Sequence, residues 1–310
     1  MELLKNPSFD FLGRARWGFL LSGILVATGI YMVASGHIRY GVEFQGGTQL
    51  IVQFQKTPAV DRIRDAIAKV SGGAVIQTFG SVRDNKVLIR LGLHEGESNL
   101  DALAQSALGA LAHSYPDNPV IESSSEIVGP TVGGQLRQKA ILLTTLGLLF
   151  QLVYIGARFR GGVWGAGATI AAFHDVLVCL GFLAVFDYEI TLNVIAALLT
   201  LVGYSVNDTI VIFDRARENL RQRRKDSLTK LLNDSINQTL TRTLISSGTT
   251  FLAVFALYLF GGEVLRGFAF TLVVGITVGT YSTMFIAVPI VDWWYARMGK
   301  RTAPTAKAAL

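Results

Sequence analysis

Apolar residues gather along this chain in six runs, at about 17–35, 139–157, 163–186, 190–213, 243–261 and 266–291. Each is close to the ~20 residues that carry a helix across a hydrocarbon core. Between the first two runs the period changes. Residues 48–55 alternate like a strand, and 58–70 repeats apolar residues at helical spacing. Two further strands, 74–81 and 86–93, flank a turn at Arg83-Asp84-Asn85. Residues 99–114 are helical, with Asn99 as N-cap ahead of Asp101, and 120–128 supplies a last strand.

The order β-α-β-β-α-β is the ferredoxin-like arrangement. At ~80 residues it can fold by itself around a small core. The fold class predicted is a polytopic α-helical membrane protein with six transmembrane helices. One α+β ferredoxin-like (βαββαβ) extracytoplasmic domain sits between helices 1 and 2.

Composition agrees with that class. Of 310 residues, 51% are hydrophobic and 16% charged, against roughly 25% charged in soluble domains. The net charge of +6 would suit nucleic acid, but its distribution suits a membrane. Lys5, Arg14 and Arg16 precede the first run, and Arg158 and Arg160 join runs two and three. Arg215, Arg217, Arg221, Arg223, Arg224, Lys225 and Lys230 crowd the link between runs four and five, and Arg297, Lys300, Arg301 and Lys307 close the chain. The opposite links carry Asp187 and Glu189, or Gly261, Gly262 and Glu263. The positive-inside rule then places both termini in the cytoplasm and 36–138 outside it. The expected division is a cytoplasmic N-terminus with helix 1 (1–35), the extracytoplasmic domain (36–138), helices 2–6 (139–295) with a basic cytoplasmic loop at 214–240, and a tail (296–310).

That basic loop reads as an amphipathic segment fixing topology and meeting anionic headgroups. Trp293, Trp294 and Tyr295 read as an interfacial belt. Ser35-Gly36-His37 is a poor cleavage site, so run one reads as an uncleaved anchor. The lone Cys179 says nothing of redox compartment.

The most informative position is Asp208, a carboxylate inside run four. A charge there costs roughly 2.5–3.5 kcal/mol on insertion scales, so intramembrane acids face a partner, a cavity or an ion path. Helical spacing backwards gives Tyr204, Thr200, Ala197 and Asn193, a small and polar stripe. In run five Arg242, Ser246 and Thr249 share a face. Arg242 and Asp208 fall at similar depth and are expected to pair, so that protonating Asp208 releases Arg242. A static pair fixing helix register, a proton relay and a bound cation all fit these residues.

His174-Asp175 in run three is a second polar island. Histidine titrates near neutral pH and suits a feeder to Asp208; a histidine bridging two helices fits as well. Zinc is not expected, since neither a His-Glu-x-x-His helix nor a third ligand is present. An aspartyl-protease dyad would want Gly-x-Gly-Asp turns that Asp208 and Asp175 lack. His37, His94 and His113 read as solvated surface residues. No cofactor or metal is expected, and no nucleophile–base set that would make an enzyme is found.

Glycine is the third feature. Gly275-x-x-x-Gly279 is a helix-contact motif, as Gly161-Gly162 and Gly165-x-Gly167 can be. Gly41-Val42-Glu43-Phe44-Gln45-Gly46-Gly47-Thr48 enters the domain and Gly129-Pro130-Thr131-Val132-Gly133 leaves it. Gly46, Gly47, Gly129, Pro130 and Gly133 make two joints that permit hinge motion, or are merely turns.

Five motifs together resemble the SecD/SecF family, a branch of the resistance-nodulation-division (RND) transporter superfamily. They are Gly203-Tyr204-Ser205-Val206-Asn207-Asp208-Thr209 continuing to Asn219, Phe173-His174-Asp175, the 128–133 joint, Ser235 to Thr243, and Phe260-Gly261-Gly262 with Gly279-Thr280-Tyr281-Ser282. Glu43 departs from the family's usual Asp but keeps the acid. The resemblance covers nearly the whole chain. It implies a non-enzymatic subunit of the bacterial Sec translocase in the cytoplasmic (inner) membrane, with SecD as partner. It also implies association with the SecYEG channel, with YajC and YidC as further companions, and use of the proton motive force late in preprotein export. Asp208 and Arg242 fall at positions the family ties to proton conduction; His174, Asp175 and Asn207 are counted with them. The competing expectation is a self-contained RND-type proton-coupled exporter of small molecules or lipids, against which no internal repeat supplies a second half.

Overall fold

The computed structural model describes residues 7–71, 74–79, 84–92, 100–159, 162–223 and 226–298. Expectations for Lys5, Arg83, His94, the Asn99 cap, Arg160, Gly161, Arg224, Lys225, Lys300, Arg301 and Lys307 lie outside the described residues. Among the described residues, six helical spans are long and apolar enough to cross a membrane. The first is α1 (Ala15–Ala34), and a short α2 (Val42–Gln45) follows it. After the α+β unit come α5 (Pro130–Phe159), α6 (Gly162–Val185), α7 (Leu192–Gln222) and α8 (Leu228–Phe260). The last span is composite: α9 (Gly262–Ser282), a π-helical turn (Thr283–Ala287) and α10 (Val288–Arg297). Pro289 explains the break. It has no N–H for the preceding turn, and the ladder widens to Val288 N–H on the Thr283 carbonyl before it resumes.

Several helices outrun their apolar windows. α7 continues to Gln222 and α8 begins at Leu228, so the expected basic loop at 214–240 is mostly helix. Hydropathy sees only the lipid-facing part; beyond it, Ala216, Leu220, Leu231, Leu232 and Ile236 stay buried in the core, and polar contacts between α7 and α8 add to them. Asn219 Nδ2 donates to Ser235 Oγ (2.8 Å) and Gln238 Oε1 (3.0 Å), and Arg223 pairs with Asp234 at 2.7 Å. Ser227 caps α8 by accepting from the Lys230 amide. The N-terminal strand of chain is tied to the same place, its Phe9 and Phe11 amides donating to Asn237 and Asn233. Both ends of the described chain therefore lie opposite the α+β unit.

That unit comprises β1 (Gly47–Phe54), α3 (Val60–Ala68), β2 (Val75–Phe79), β3 (Lys86–Gly92), α4 (Leu100–Ser114) and β4 (Val120–Val128). The sheet order is β2-β3-β1-β4, antiparallel throughout, so the expected ferredoxin-like topology is present. Alternation puts Leu50, Val52 and Phe54 on one face with Val87, Ile89 and Leu91, all buried against Ile63, Ile67, Leu103 and Leu111. Asn85 turns β2 into β3 at φ 52, a conformation that Asn tolerates.

The unit stands braced on the bundle. Arg90 of β3 pairs with Glu189 of the α6–α7 link, both side chains mostly buried. Gly41 N–H donates to the Ile190 carbonyl (2.9 Å) and Ile190 N–H to the Arg39 carbonyl (2.8 Å). Gly46 and Gly47 take φ of 80 and 147, which only glycine adopts easily. Gly133 lies in α5, and a Cβ there would sit 2.9 Å from Gly46 N and 3.0 Å from Phe44 O. The two glycine joints thus pack against each other.

Candidate functional site

Two aspartates lie buried in the bundle, and their surroundings differ. Asp175 on α6 is fully buried. Its Oδ1 meets His174 Nδ1 at 2.9 Å, and its Oδ2 accepts from Ser205 Oγ at 2.5 Å and Ser282 Oγ at 2.9 Å. One carboxyl therefore knits α6, α7 and α9. His174 Nε2 is buried with no hydrogen-bond partner among the described residues. Glycine lets the knot close: a Cβ on Gly279 would lie 3.2 Å from Ser205 Cβ and 3.5 Å from Asp175 Oδ2, and Gly275 rests on Leu201. The Gly275-x-x-x-Gly279 motif is thus the contact face of α9 on α7.

Asp208, one turn beyond Ser205 on α7, is also buried. Its Oδ2 accepts from Ser247 Oγ on α8 at 2.8 Å. Thr209 beside it exchanges a hydrogen bond with Thr283 of the π turn (3.0 Å), whose hydroxyl also donates to the Gly279 carbonyl (2.9 Å). Among the described residues no hydrogen bond joins the Asp175 cluster to Asp208 directly. Thr209 Oγ1, reaching the Ser205 carbonyl at 3.4 Å, links the two regions along α7.

Among the described residues no ion pair within 4.0 Å joins Asp208 and Arg242, and Arg242 is exposed, so the expected contact pair is absent; the Arg242 charge still acts on the Asp208 carboxyl from farther off. The helix explains the difference. Arg242 precedes Ser247 by five residues, about 7.5 Å along the axis and about 140° around it. The packed face of α8 is instead Ser235, Thr239, Thr243 and Ser247. The expected stripe on α7 also divides. Ala197 is buried and Tyr204 half-buried, its hydroxyl donating to the Ser246 carbonyl (3.3 Å), while Asn193 and Thr200 open outward. With Ala196, Gly203 and Asn207 they form an exposed row at three- and four-residue steps. Sequence reasoning missed the hydroxyls Ser205, Ser247, Ser282 and Thr283. A serine in a span more often bonds its own helix, as Ser246 does to the Arg242 carbonyl, so its type alone is no signal.

Six spans packed around buried carboxyls, with a ferredoxin-like unit between the first two, define a multi-pass membrane protein of the transporter type. A model described as "Protein export membrane protein SecD/SecF, C-terminal" matches residues 110–297, and the SecD/SecF GG motif matches 33–58. The chain belongs to the SecD/SecF family. It is 41% identical over 295 residues to a protein translocase subunit SecF of Calditerrivibrio nitroreducens, covering 94% of this chain and 96% of that one. It is 38% identical over 280 residues to the SecF subunit of Escherichia coli O157:H7, covering 90% and 85%. The crystal structure of SecDF from Thermus thermophilus superposes with a TM-score of 0.78 at 35% identity. That match covers 94% of this chain but 39% of the SecDF chain.

Proposed function

We propose that this chain works as a SecF-type subunit of a protein-export translocase in the bacterial cytoplasmic membrane, both ends cytoplasmic, and that Asp208 couples proton movement to its work. The observation that carries the reading is a buried carboxyl hydrogen-bonded to one neutral hydroxyl from the neighbouring span, with the Arg242 charge acting on it from farther off. With its proton on, Asp208 is a neutral companion of Ser247. With the proton off, a dry carboxylate needs a cation or water, and α8 carries Arg242 on its outer side. Turning α8 toward Arg242 exchanges one partner for the other, so one proton selects between two helix positions. One charge crossing 100 mV supplies roughly 2.3 kcal/mol, enough to bias such a step and too little to drive a preprotein through in one cycle.

The exposed row of Asn193, Ala196, Thr200, Gly203 and Asn207, with Arg242 beside it, suits contact with helices of a partner. The part of SecDF that this chain does not span makes a SecD-type chain that partner. SecYEG and the emerging preprotein are the working environment, with YajC and YidC as accessory companions. Movement of the α+β unit would pass through the paired glycine joints and the Arg90–Glu189 brace.

The test is export of a preprotein into inverted vesicles with and without a proton gradient. Asp208→Asn is expected to keep assembly with the SecD-type chain and lose the gradient-dependent stimulation. Stimulation at the wild-type level overturns the coupling role. Normal export on deletion, with loss of small-molecule efflux, overturns the translocase role.

A further inference from the structure

On the side of α7 away from its exposed polar row, a cleft of about 270 Å³ opens between α1 and α5, over α6. Both helices lean on α6, and Ile38, Tyr40, Phe44 and Ile190 line the cleft at the end of the bundle that carries the α+β unit. Its floor is Val176, Leu177 and Leu180 of α6 with Leu198 of α7. Thr144 and Thr145 also line it, but their hydroxyls are spent on the Ala140 and Ile141 carbonyls of their own helix. The wall is therefore largely apolar, and its polar groups are the Tyr40 hydroxyl and Arg137. Arg137 lines the cleft and is exposed, its guanidinium 5.9 Å from the centre of the Tyr40 ring.

Arg137 is exposed and has no carboxylate within 4.0 Å among the described residues, whereas nearby Arg39 is matched by Asp187 at 2.8 Å. A largely apolar slot within the spans, with an unanswered guanidinium in its lining, has the shape of a lipid: chain below, anion above. Guanidinium matches a phosphate with two parallel donors, and basic pockets between membrane helices take anionic headgroups. A helix from a partner would want small residues on the facing wall, and this wall carries Phe173, Ile141 and Leu148.

We propose that this cleft binds one anionic phospholipid from the leaflet on the α+β side, an acyl chain lying along α6 and its phosphate on Arg137. The site is independent of whether Asp208 carries protons. The full chain, in complex with its partner, is placed in nanodiscs of equal phosphatidylglycerol and phosphatidylcholine, and lipid retained on release is read by native mass spectrometry. Phosphatidylglycerol is expected to be retained in preference. Arg137→Gln is expected to lower that retention about fivefold, while Lys139→Gln, next along but outside the cleft, leaves it unchanged. Thr145→Trp, which fills the cleft, is expected to displace both lipids. Equal retention of the two lipids, no loss with Arg137→Gln, or no loss with Thr145→Trp overturns the proposal. So does a disulfide from Ile141→Cys to a helix of the partner, which would show protein rather than lipid in the cleft.

Discussion

Asp175 and Asp208 are carboxyls of the same bundle, both out of solvent, yet they are held in opposite ways. Asp175 is saturated: an imidazole on one oxygen, two serine hydroxyls on the other, and a glycine opposite to let them close. Its neighbours come from three helices, so any change in its charge strains all three. Asp208 meets a single hydroxyl from one helix. A group with every bond made stores position, and a group with few bonds can change its state. On the proposed function the difference gives Asp175 a positioning part and Asp208 the switching part, although sequence makes them look alike.

The comparison breaks most easily at Asp175. Asp175→Ala leaves His174, Ser205 and Ser282 buried around a void, and is expected to destabilise the bundle by about 3–5 kcal/mol. Thermal unfolding in detergent measures this, and a melting curve matching the wild type would deny the structural role. Gly279→Val tests the same knot from the other side. Branched carbons directed at Ser205 are expected to cost about 1–3 kcal/mol by overpacking, seen as a lower unfolding midpoint with Asp208 chemistry intact. Ser247→Ala gives the smallest effect. It removes one hydrogen bond, about 1 kcal/mol, and should shift the pH profile of proton-coupled export while leaving the unfolding midpoint nearly in place. A large loss of stability there would make Asp208 another structural acid.

Much of this architecture is legible in the chain because its forces are periodic. The six spans follow from apolar length, and the strands of the α+β unit from alternation, since each face of β1 meets a different environment. The 214–240 region does not stand out as a continuation of the spans because charge dilutes its apolar residues; Ala216, Leu220, Leu231, Leu232 and Ile236 are buried in the core, and Asn219, Ser235, Arg223 and Asp234 bond across the two helices. The hydrogen-bond partner of Asp208, Ser247, was hidden for a related reason. Around Ser247, α8 carries apolar or hydroxyl residues on every side, with Leu244, Ile245 and Leu252 outward. No contrast in the sequence says which face turns to α7, and an error of one helical face exchanges Ser247 for Arg242. The π turn before Pro289 was signalled by the proline alone.

The account stands on Asp208 being the group whose proton moves. Proton influx into liposomes containing the chain with its SecD-type partner, under an imposed membrane potential, measures this directly with an internal pH dye. Wild type and Asp175→Asn, brought to equal amounts of folded complex, are expected to conduct, and Asp208→Asn to fall to the rate of empty liposomes. Conduction by Asp208→Asn at the wild-type rate would contradict it.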